Sequence, residues 1–331
     1  SGSIASTNLL SHQRFGHAPI LPYRVPMITI PRTELFIYPL SLGGNVFGWT
    51  ATKEESFKVL DRFVDLGGNF IDTADVYSAW KEGNSGGESE SIIGEWMESR
   101  GNRSKMIGAT KVAKLPTKPG LSQANIASAV EDSLRRLRTD YIDLYYAHDD
   151  DEKVSQEEYL TAFDRLVRDG KVRYLGASNF SAERLKSAAK ISLEGDLASF
   201  IALQNHYNIL EREEYEKSIT PVLQELEISS IPYFGLARGF LTGKYRRGVK
   251  VDSVRAAGVE TYQSERGWSI IDRLEQIAKT KSTTISAVAL AWLRAQPSVV
   301  APIASARTVD QLEEITPIVG LSDYELAELS A

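Results

Sequence analysis

The sequence predicts an α/β protein built as a (β/α)8 barrel, and three observations carry that expectation. Short β-rich apolar runs recur eight times between residues 35 and 305, with helical spacing in the stretches between them. Strands alternating with helices imply parallel β/α units, and eight such units match a barrel of roughly 250 residues. A doubly wound sheet would also alternate, but it usually carries G-x-G-x-x-G after its first strand. Here the first run is followed by "GGNVFG" (43–48), which has the wrong spacing.

The strand runs are, in order, "LFIYPLSL" (35–42), "NFIDTA" (69–74), "SKMIGATKV" (104–112) and "YIDLYYAH" (141–148), then "VRYLGAS" (172–178), "SFIALQNH" (199–206), "SSIPYFG" (229–235) and "SVVAPIAS" (298–305). A hairpin of "MITIP" (27–31) on "ELFIY" (34–38) is expected to plug the bottom of the barrel. Among the helical stretches, "SQANIASAVEDSLRRLR" places Ile126, Val130 and Leu134 at i, i+4 and i+8, with Ser122 as N-cap. "SAERLKSAAK" opens on Ser181 and carries Glu183 in its first turn. "TISAVALAWLRAQ" (284–296) is apolar all round and should be a buried helix. The stretch 243–268 is too long and polar for a simple connector, so a lid or binding loop is expected there. Residues 26–331 are read as one catalytic domain after a flexible segment, 1–25, whose opening Ser-Gly reads as a cloning scar.

Composition narrows the function classes. With 331 residues, 42% hydrophobic and 25% charged, the chain is long enough for a sizeable core. A net charge of −6 gives no reason to expect nucleic-acid binding, which needs a clustered basic face. The chain has no cysteine, so disulfides, thiolate nucleophiles and Cys-based metal sites are excluded. That composition is compatible with a reducing cytoplasm, the expected location. No metal site is expected. No apolar run approaches the ~20 residues that span a bilayer, and the start lacks the features of a signal peptide. The oligomeric state is left open.

In a barrel of this kind the active site lies where strands end and βα-loops begin. Asp72, with Tyr77 beyond it, stands at the second strand exit, Lys111 at the third and His148 at the fourth. Ser178 and Asn179 follow at the fifth and Gln204 at the sixth. A tyrosine is a poor acid at neutral pH. A nearby ammonium stabilises its phenolate, and a carboxylate behind the lysine keeps the amine charged and oriented. Such a tyrosine can protonate a carbonyl oxygen while hydride adds to carbon, and a histidine can orient that carbonyl. Singly, each residue has a plainer reading: a turn-capping Asp, a rim His, or a Lys in an ion pair or serving as a Schiff-base nucleophile. Four such groups at neighbouring exits favour a catalytic site.

The pattern resembles the aldo-keto reductase family from about Ile28 to Leu329, on the side of the potassium-channel β-subunit-like and bacterial stress-type reductases. "NFIDTADVY" (69–77), "ATKV" (109–112), "YYAHDDD" (145–151), "GASNFS" (176–181) and "FLTGKY" (240–245) carry the likeness in the right order. The resemblance implies Tyr77 as general acid, Lys111 and Asp72 tuning it, and His148 orienting a small-molecule carbonyl substrate. It also implies NADP(H) lying extended across the barrel mouth. Ser178, Asn179 and Gln204 would hydrogen-bond the carboxamide and Tyr233 would stack on the ring, with Gly44, Asn45, Phe234 and Gly235 as further cofactor contacts. Leu236, Arg238, Lys244 and Arg255 would hold the pyrophosphate. Ser305, Arg307 and Gln311 would meet a ribose 2′-phosphate, with Glu314 near the adenine. Arg307 favours the phosphorylated cofactor, because a guanidinium suits a phosphate better than a hydroxyl. Trp49, Trp80 and His206 are expected at the substrate pocket. Two departures stand out: "YFG" (233–235) replaces the family's usual Ser-Pro after the aromatic, and Ile315 follows "EE" where Asn is common. The alternatives are a Lys111 Schiff-base lyase and a cofactor-binding interaction protein with low turnover.

Overall fold

The structure, a computed structural model, describes residues 27–252 and 256–331. Arg255 and the segment 1–25 lie outside the described residues. The chain opens with a two-stranded antiparallel hairpin, β1 (Ile28–Thr29) on β2 (Phe36–Ile37). Eight parallel strands follow: β3 (Ser41–Gly43), β4 (Phe70–Asp72), β5 (Ile107–Val112), β6 (Ile142–Ala147), β7 (Val172–Ser178), β8 (Phe200–Gln204), β9 (Ser229–Ser230) and β10 (Ile303–Ala304). Their order is β10-β3-β4-β5-β6-β7-β8-β9. The circle closes through backbone hydrogen bonds from Ser230 N to Ser298 O (2.7 Å), Val300 N to Ser230 O (3.0 Å) and Ile303 N to Pro232 O (2.9 Å). The expected (β/α)8 barrel is the observed fold.

Eight helices cover the barrel: α1 (Lys53–Asp65), α2 (Glu88–Arg100), α3 (Gln123–Leu137), α4 (Gln156–Arg168), α5 (Ala182–Glu194), α6 (Thr220–Leu226), α7 (Glu265–Thr280) and α8 (Ile285–Arg294). Two more, α9 (Val309–Ile315) and α10 (Asp323–Ser330), follow the last strand. Helix starts are written in the sequence as hydroxyl caps that accept otherwise unpaired first-turn amides. Thr52 forms a capping box with Glu55, and Ser122, Ser155, Ser181 and Thr284 each accept from the amide three residues on. Helix α8 is buried along nearly its whole length, as its all-round apolarity predicts.

Two expectations needed correction. The run 35–42 is not one strand but two. Phe36–Ile37 pairs with β1, the chain turns through Tyr38–Leu40, and only Ser41–Gly43 joins the barrel. Pro39 sits at the break, where it has no N–H to give to a ladder. Nor is 243–268 simply a loop. A 3-10 segment spans Ala256–Tyr262 and α7 begins at Glu265. Phe240 gathers Tyr245, Tyr262 and Trp268 around itself at ring-centroid distances of 6.0, 5.8 and 5.3 Å. Those aromatics, scattered among charges, anchor a stretch whose average composition reads as solvated.

Burial falls into two layers. Inside the barrel, Ile30, Leu35 and Ile37 of the hairpin pack with Phe70, Leu144 and Ile201 and form the floor, the plug that the sequence predicted. Outside it, a larger apolar shell joins strands to helices, as a parallel sheet covered on both faces requires. Helices α2 and α3 approach closely at Gly94 of α2. A Cβ built there would lie 2.1 Å from the carbonyl oxygen of Arg136 at the end of α3. Ala is the better helix former by roughly 1 kcal/mol, yet here it would push two backbones apart. Gly94→Ala is therefore expected to destabilise the fold by about 1–3 kcal/mol in urea unfolding; a stabilised variant would contradict the packing described.

Candidate active site

Strand register brings the polar exits together. Asp72 ends β4 opposite Ala109 of β5, Lys111 lies two residues further along β5, and Lys111 pairs with Tyr146 of β6. Side chains alternate along a strand, so Lys111 points into the barrel while Thr110 points to the helices. The Lys111 ammonium is fully buried. It donates to Asp72 Oδ2 at 2.7 Å, to the Thr73 carbonyl at 2.7 Å and to Tyr77 Oη at 2.8 Å. Tyr77 Oη in turn donates to Asp72 Oδ2 at 3.2 Å. The other carboxylate oxygen, Oδ1, accepts from Gln204 Nε2 at 3.0 Å. The ring of His148 stands edge-on to that of Tyr77, 6.0 Å between centroids. Asp72 and Lys111 thus meet at the Tyr77 hydroxyl, with the His148 ring beside that of Tyr77.

Charge states follow from burial. The ring of Tyr77 is partly open to a cavity, but its hydroxyl lies deep, and burial followed by the charge of Asp72 pushes the phenol well above its ordinary value near 10. The sequence suggested that Lys111 would lower it; in this geometry desolvation outweighs the ammonium. Burial also pulls Lys111 down, against the opposing effect of Asp72. His148 is held well below 6.5 by burial first and by Lys111 and Lys114 second, so it presents a neutral imidazole.

Above these groups opens a cavity of about 820 Å³. Asp72, Tyr77, His148 and Trp80 line one end together with Asn45, Ser178, Asn179 and Gln204. Tyr233, Phe234, Gly235, Leu236, Arg238 and Lys244 continue the lining, and Arg307, Gln311 and Glu314 form the far end; Ser305 joins the first group, its Oγ donating to Asn45 Oδ1. The side chains at the near end are held by one another. Asn179 Nδ2 donates to the His148 carbonyl (3.0 Å), Tyr233 Oη donates to Asn179 Oδ1 (2.6 Å), and Ser178 Oγ donates to the Gln204 carbonyl (2.7 Å). Phe234, Ala237 and Arg238 all adopt left-handed backbone with φ of 55, 48 and 58°, a strain that clusters at functional sites. The Arg238 guanidinium lies over the Phe234 ring at 4.2 Å. At the far end Gln311 Oε1 accepts from the Arg307 amide at 3.0 Å. Ile315 is buried in the apolar shell and supports that end from below.

Some predicted positions fall elsewhere. Gly44 does not line the cavity; its carbonyl accepts from Ser89 Oγ at 2.7 Å on the helix side, and Gly43 faces the cavity instead. Trp49 packs edge-on against Trp80 at 5.4 Å, behind the wall rather than in it. His206 stacks on Tyr233 at 5.6 Å and pairs with Glu211, so it supports that ring from behind. The amide nitrogen of Gln204 is turned to Asp72 rather than to the open cavity. Sequence reading missed Asn205, whose Oδ1 accepts from the Asn179 amide at 2.7 Å, and Lys114, which lines the cavity beside His148. "LQNHYN" (203–208) is a run of amides and aromatics just past a strand exit, a signal that could have found Asn205.

Among the described residues no cluster of His, Asp or Glu is arranged to hold a metal, and no helix is long and apolar enough to cross a membrane. Comparison with known proteins places this geometry. Residues 39–331 match the sequence model of the Aldo/keto reductase family. The uncharacterized oxidoreductase YrpG of Bacillus subtilis (strain 168) is 33% identical, over 90% of this chain and 92% of its own. A putative voltage-gated potassium channel subunit beta of Schizosaccharomyces pombe is 32% identical, over 93% and 92%. The aryl-alcohol dehydrogenase [NADP(+)] of Phanerodontia chrysosporium is 33% identical, over 85% and 78%. The chain belongs to the aldo/keto reductase family. It is, in those general terms, an oxidoreductase of a carbonyl-reducing family that works with nicotinamide cofactors.

Proposed function

We propose that the chain reduces aldehydes or ketones at the expense of NADPH, with Tyr77 as the proton donor. The observation that carries this reading is the buried triad in which one ammonium holds both the Asp72 carboxylate and the Tyr77 hydroxyl at the floor of the cavity. The donor set suits a dinucleotide: amides at one end, an aromatic ring beside them, and the cations Arg238, Lys244 and Arg307 further along the same cavity. The cofactor, when bound, supplies the hydride. Asn179 and Tyr233, already locked to each other, present a preorganised edge and face for a nicotinamide ring. Ser178, Gln204 and Asn45 line the same cavity.

On this reading Tyr77 enters the reaction protonated, because burial and Asp72 keep its proton in place. As the carbonyl oxygen gains negative charge, Tyr77 Oη delivers that proton. The phenolate left behind is stabilised by Lys111, already 2.8 Å away. Asp72 holds the ammonium and does not itself need to exchange a proton. The neutral His148 offers a hydrogen bond to the carbonyl oxygen without competing as a cation. Trp80, half exposed at the rim, forms a flat wall for the substrate. A lyase using Lys111 as nucleophile is disfavoured: all three protons of that ammonium are engaged, and the side chain is closed off from the cavity. A second reading, a cofactor-binding interaction protein with slow turnover, draws on the likeness to the channel subunit. Turnover against a panel of aldehydes and ketones separates the two.

Tyr77→Phe is expected to lower kcat by about 10²–10⁴-fold while NADPH binding, followed by fluorescence, changes little; activity within about tenfold of wild type would remove the assignment. Arg307→Ala is expected to weaken NADPH by about tenfold or more, the scale of one charged hydrogen bond, and NADH far less. Equal losses for the two cofactors would argue against the phosphate contact.

A further inference from the structure

On the helix side of the barrel wall, behind Lys111, lies a second set of ionisable groups that the reaction above does not use. Asp75, in the turn between Asp72 and Tyr77, is 1% exposed, and Glu90 of α2 is 0% exposed. Glu90 holds the available donors. Its Oε1 accepts from Thr110 Oγ1 at 2.5 Å and its Oε2 from Arg136 Nε at 2.5 Å. Neither oxygen of Asp75 has a side-chain hydrogen-bond donor, nor has the buried hydroxyl of Tyr145 on β6 a partner. The Asp75 amide donates to the Lys111 carbonyl at 3.3 Å, so the turn is tied directly to the strand that carries the ammonium. Of the two buried acids, Glu90 thus takes both the guanidinium bond from Arg136 and the Thr110 hydroxyl, and no side-chain donor is left for Asp75. A buried carboxylate without donors is far more costly than a buried neutral acid.

We propose that Asp75 is a positioning residue for the Lys111–Tyr77 couple: it sits as a neutral acid in the turn, and its ionisation slows proton delivery. The groups that face it are Glu90 from α2, Arg136 from α3, Lys111 from β5 and Tyr145 from β6. Burial raises Asp75 most, Glu90 adds to that, Arg136, the backbone amide of Val76 and Lys111 oppose in that order, and the result is about 7. Once charged, Asp75 adds a second negative group on Lys111, which then holds its proton more firmly. The added negative charge makes a phenolate at Tyr77 less favourable, and Tyr77 a weaker donor. An unpaired buried charge also loosens the turn that delivers Tyr77.

The stability consequence has a definite sign. Below an unfolded carboxyl value of about 3.9 both states carry the proton. Between there and about 7 only the unfolded chain ionises, so Asp75 costs increasing stability as pH rises, and the cost levels off above about 7.

The test compares wild type with Asp75→Asn, which keeps shape and neutrality, by urea unfolding from about pH 4 to 8 and by kcat for carbonyl reduction over the same range. Only the rate measurement rests on the reductase reading. The variant is expected to gain stability over wild type progressively across that window. In wild type, kcat is expected to fall about threefold or more through neutrality, and in the variant to stay nearly flat. Infrared spectra of the wild type should show a protonated-carboxyl band lost near neutrality, and Glu90→Gln, which removes the neighbouring negative charge, should move that loss to lower pH. Parallel stability curves, or no such band, would overturn the neutral acid. A kcat limb unchanged in the variant would overturn the coupling to Tyr77. If the variant does not fold, the wild-type band and its shift in Glu90→Gln decide the matter. Absence of turnover with any carbonyl would count against the reductase reading alone, since the unfolding and infrared arms still report on Asp75.

Discussion

The structure turns on a buried ammonium. Lys111 is wholly removed from water and uses its three protons on the Asp72 carboxylate, the Thr73 carbonyl and the Tyr77 hydroxyl. A buried ion pair repays its desolvation only when geometry is good and the remaining donors are satisfied; here both conditions are met by the exits of adjacent strands. The register of β4 on β5 sets the separation of Asp72 and Lys111, and the turn after Asp72 returns Tyr77 to the same point. The barrel at this place holds two opposite charges and a phenol together, with the ammonium wholly buried and the phenol at the floor of the cavity.

Around that point the polar side chains are arranged in layers of mutual support. Gln204 crosses the barrel mouth to bind the free oxygen of Asp72, so the carboxylate has both oxygens occupied. Asn205 holds the left-handed Asn179 in place, Asn179 holds Tyr233, and His206 backs the ring of Tyr233. Such packing restricts the groups that face the cavity to single orientations before anything binds, which lowers the entropy cost of binding. The rim is different. Trp80 is half exposed and packs edge-on against Trp49 and Tyr77, with its remaining face left to the cavity mouth.

Much of this was legible in the sequence, for identifiable reasons. Helix starts were readable at Ser122 and Ser181 because a cap is a local interaction spanning three residues. Asp72, Tyr77, Lys111 and His148 were readable because barrel strands deliver their exits to one face. What was not readable depended on distant partners. Gln204 reaches a carboxylate 132 residues away, and nothing in "LQNH" says which way its amide turns. Trp49 and His206 are near the site but stand behind other rings, a difference of depth rather than of sequence position. The run 35–42 looks continuous in composition but divides at Pro39, and the stretch 243–268 hides its anchors, Tyr245, Tyr262 and Trp268, among charges. In both cases tertiary contacts override the local average.

The measurement that tests the central claim most directly is the effect of Lys111→Met on kcat for carbonyl reduction, with NADPH affinity measured on the same protein. Methionine keeps most of the side-chain length and removes the charge. If the ammonium is what lets Tyr77 part with its proton, kcat should fall by about 10²-fold or more while the protein still binds NADPH. A variant that binds the cofactor and turns over close to the wild-type rate would contradict the account.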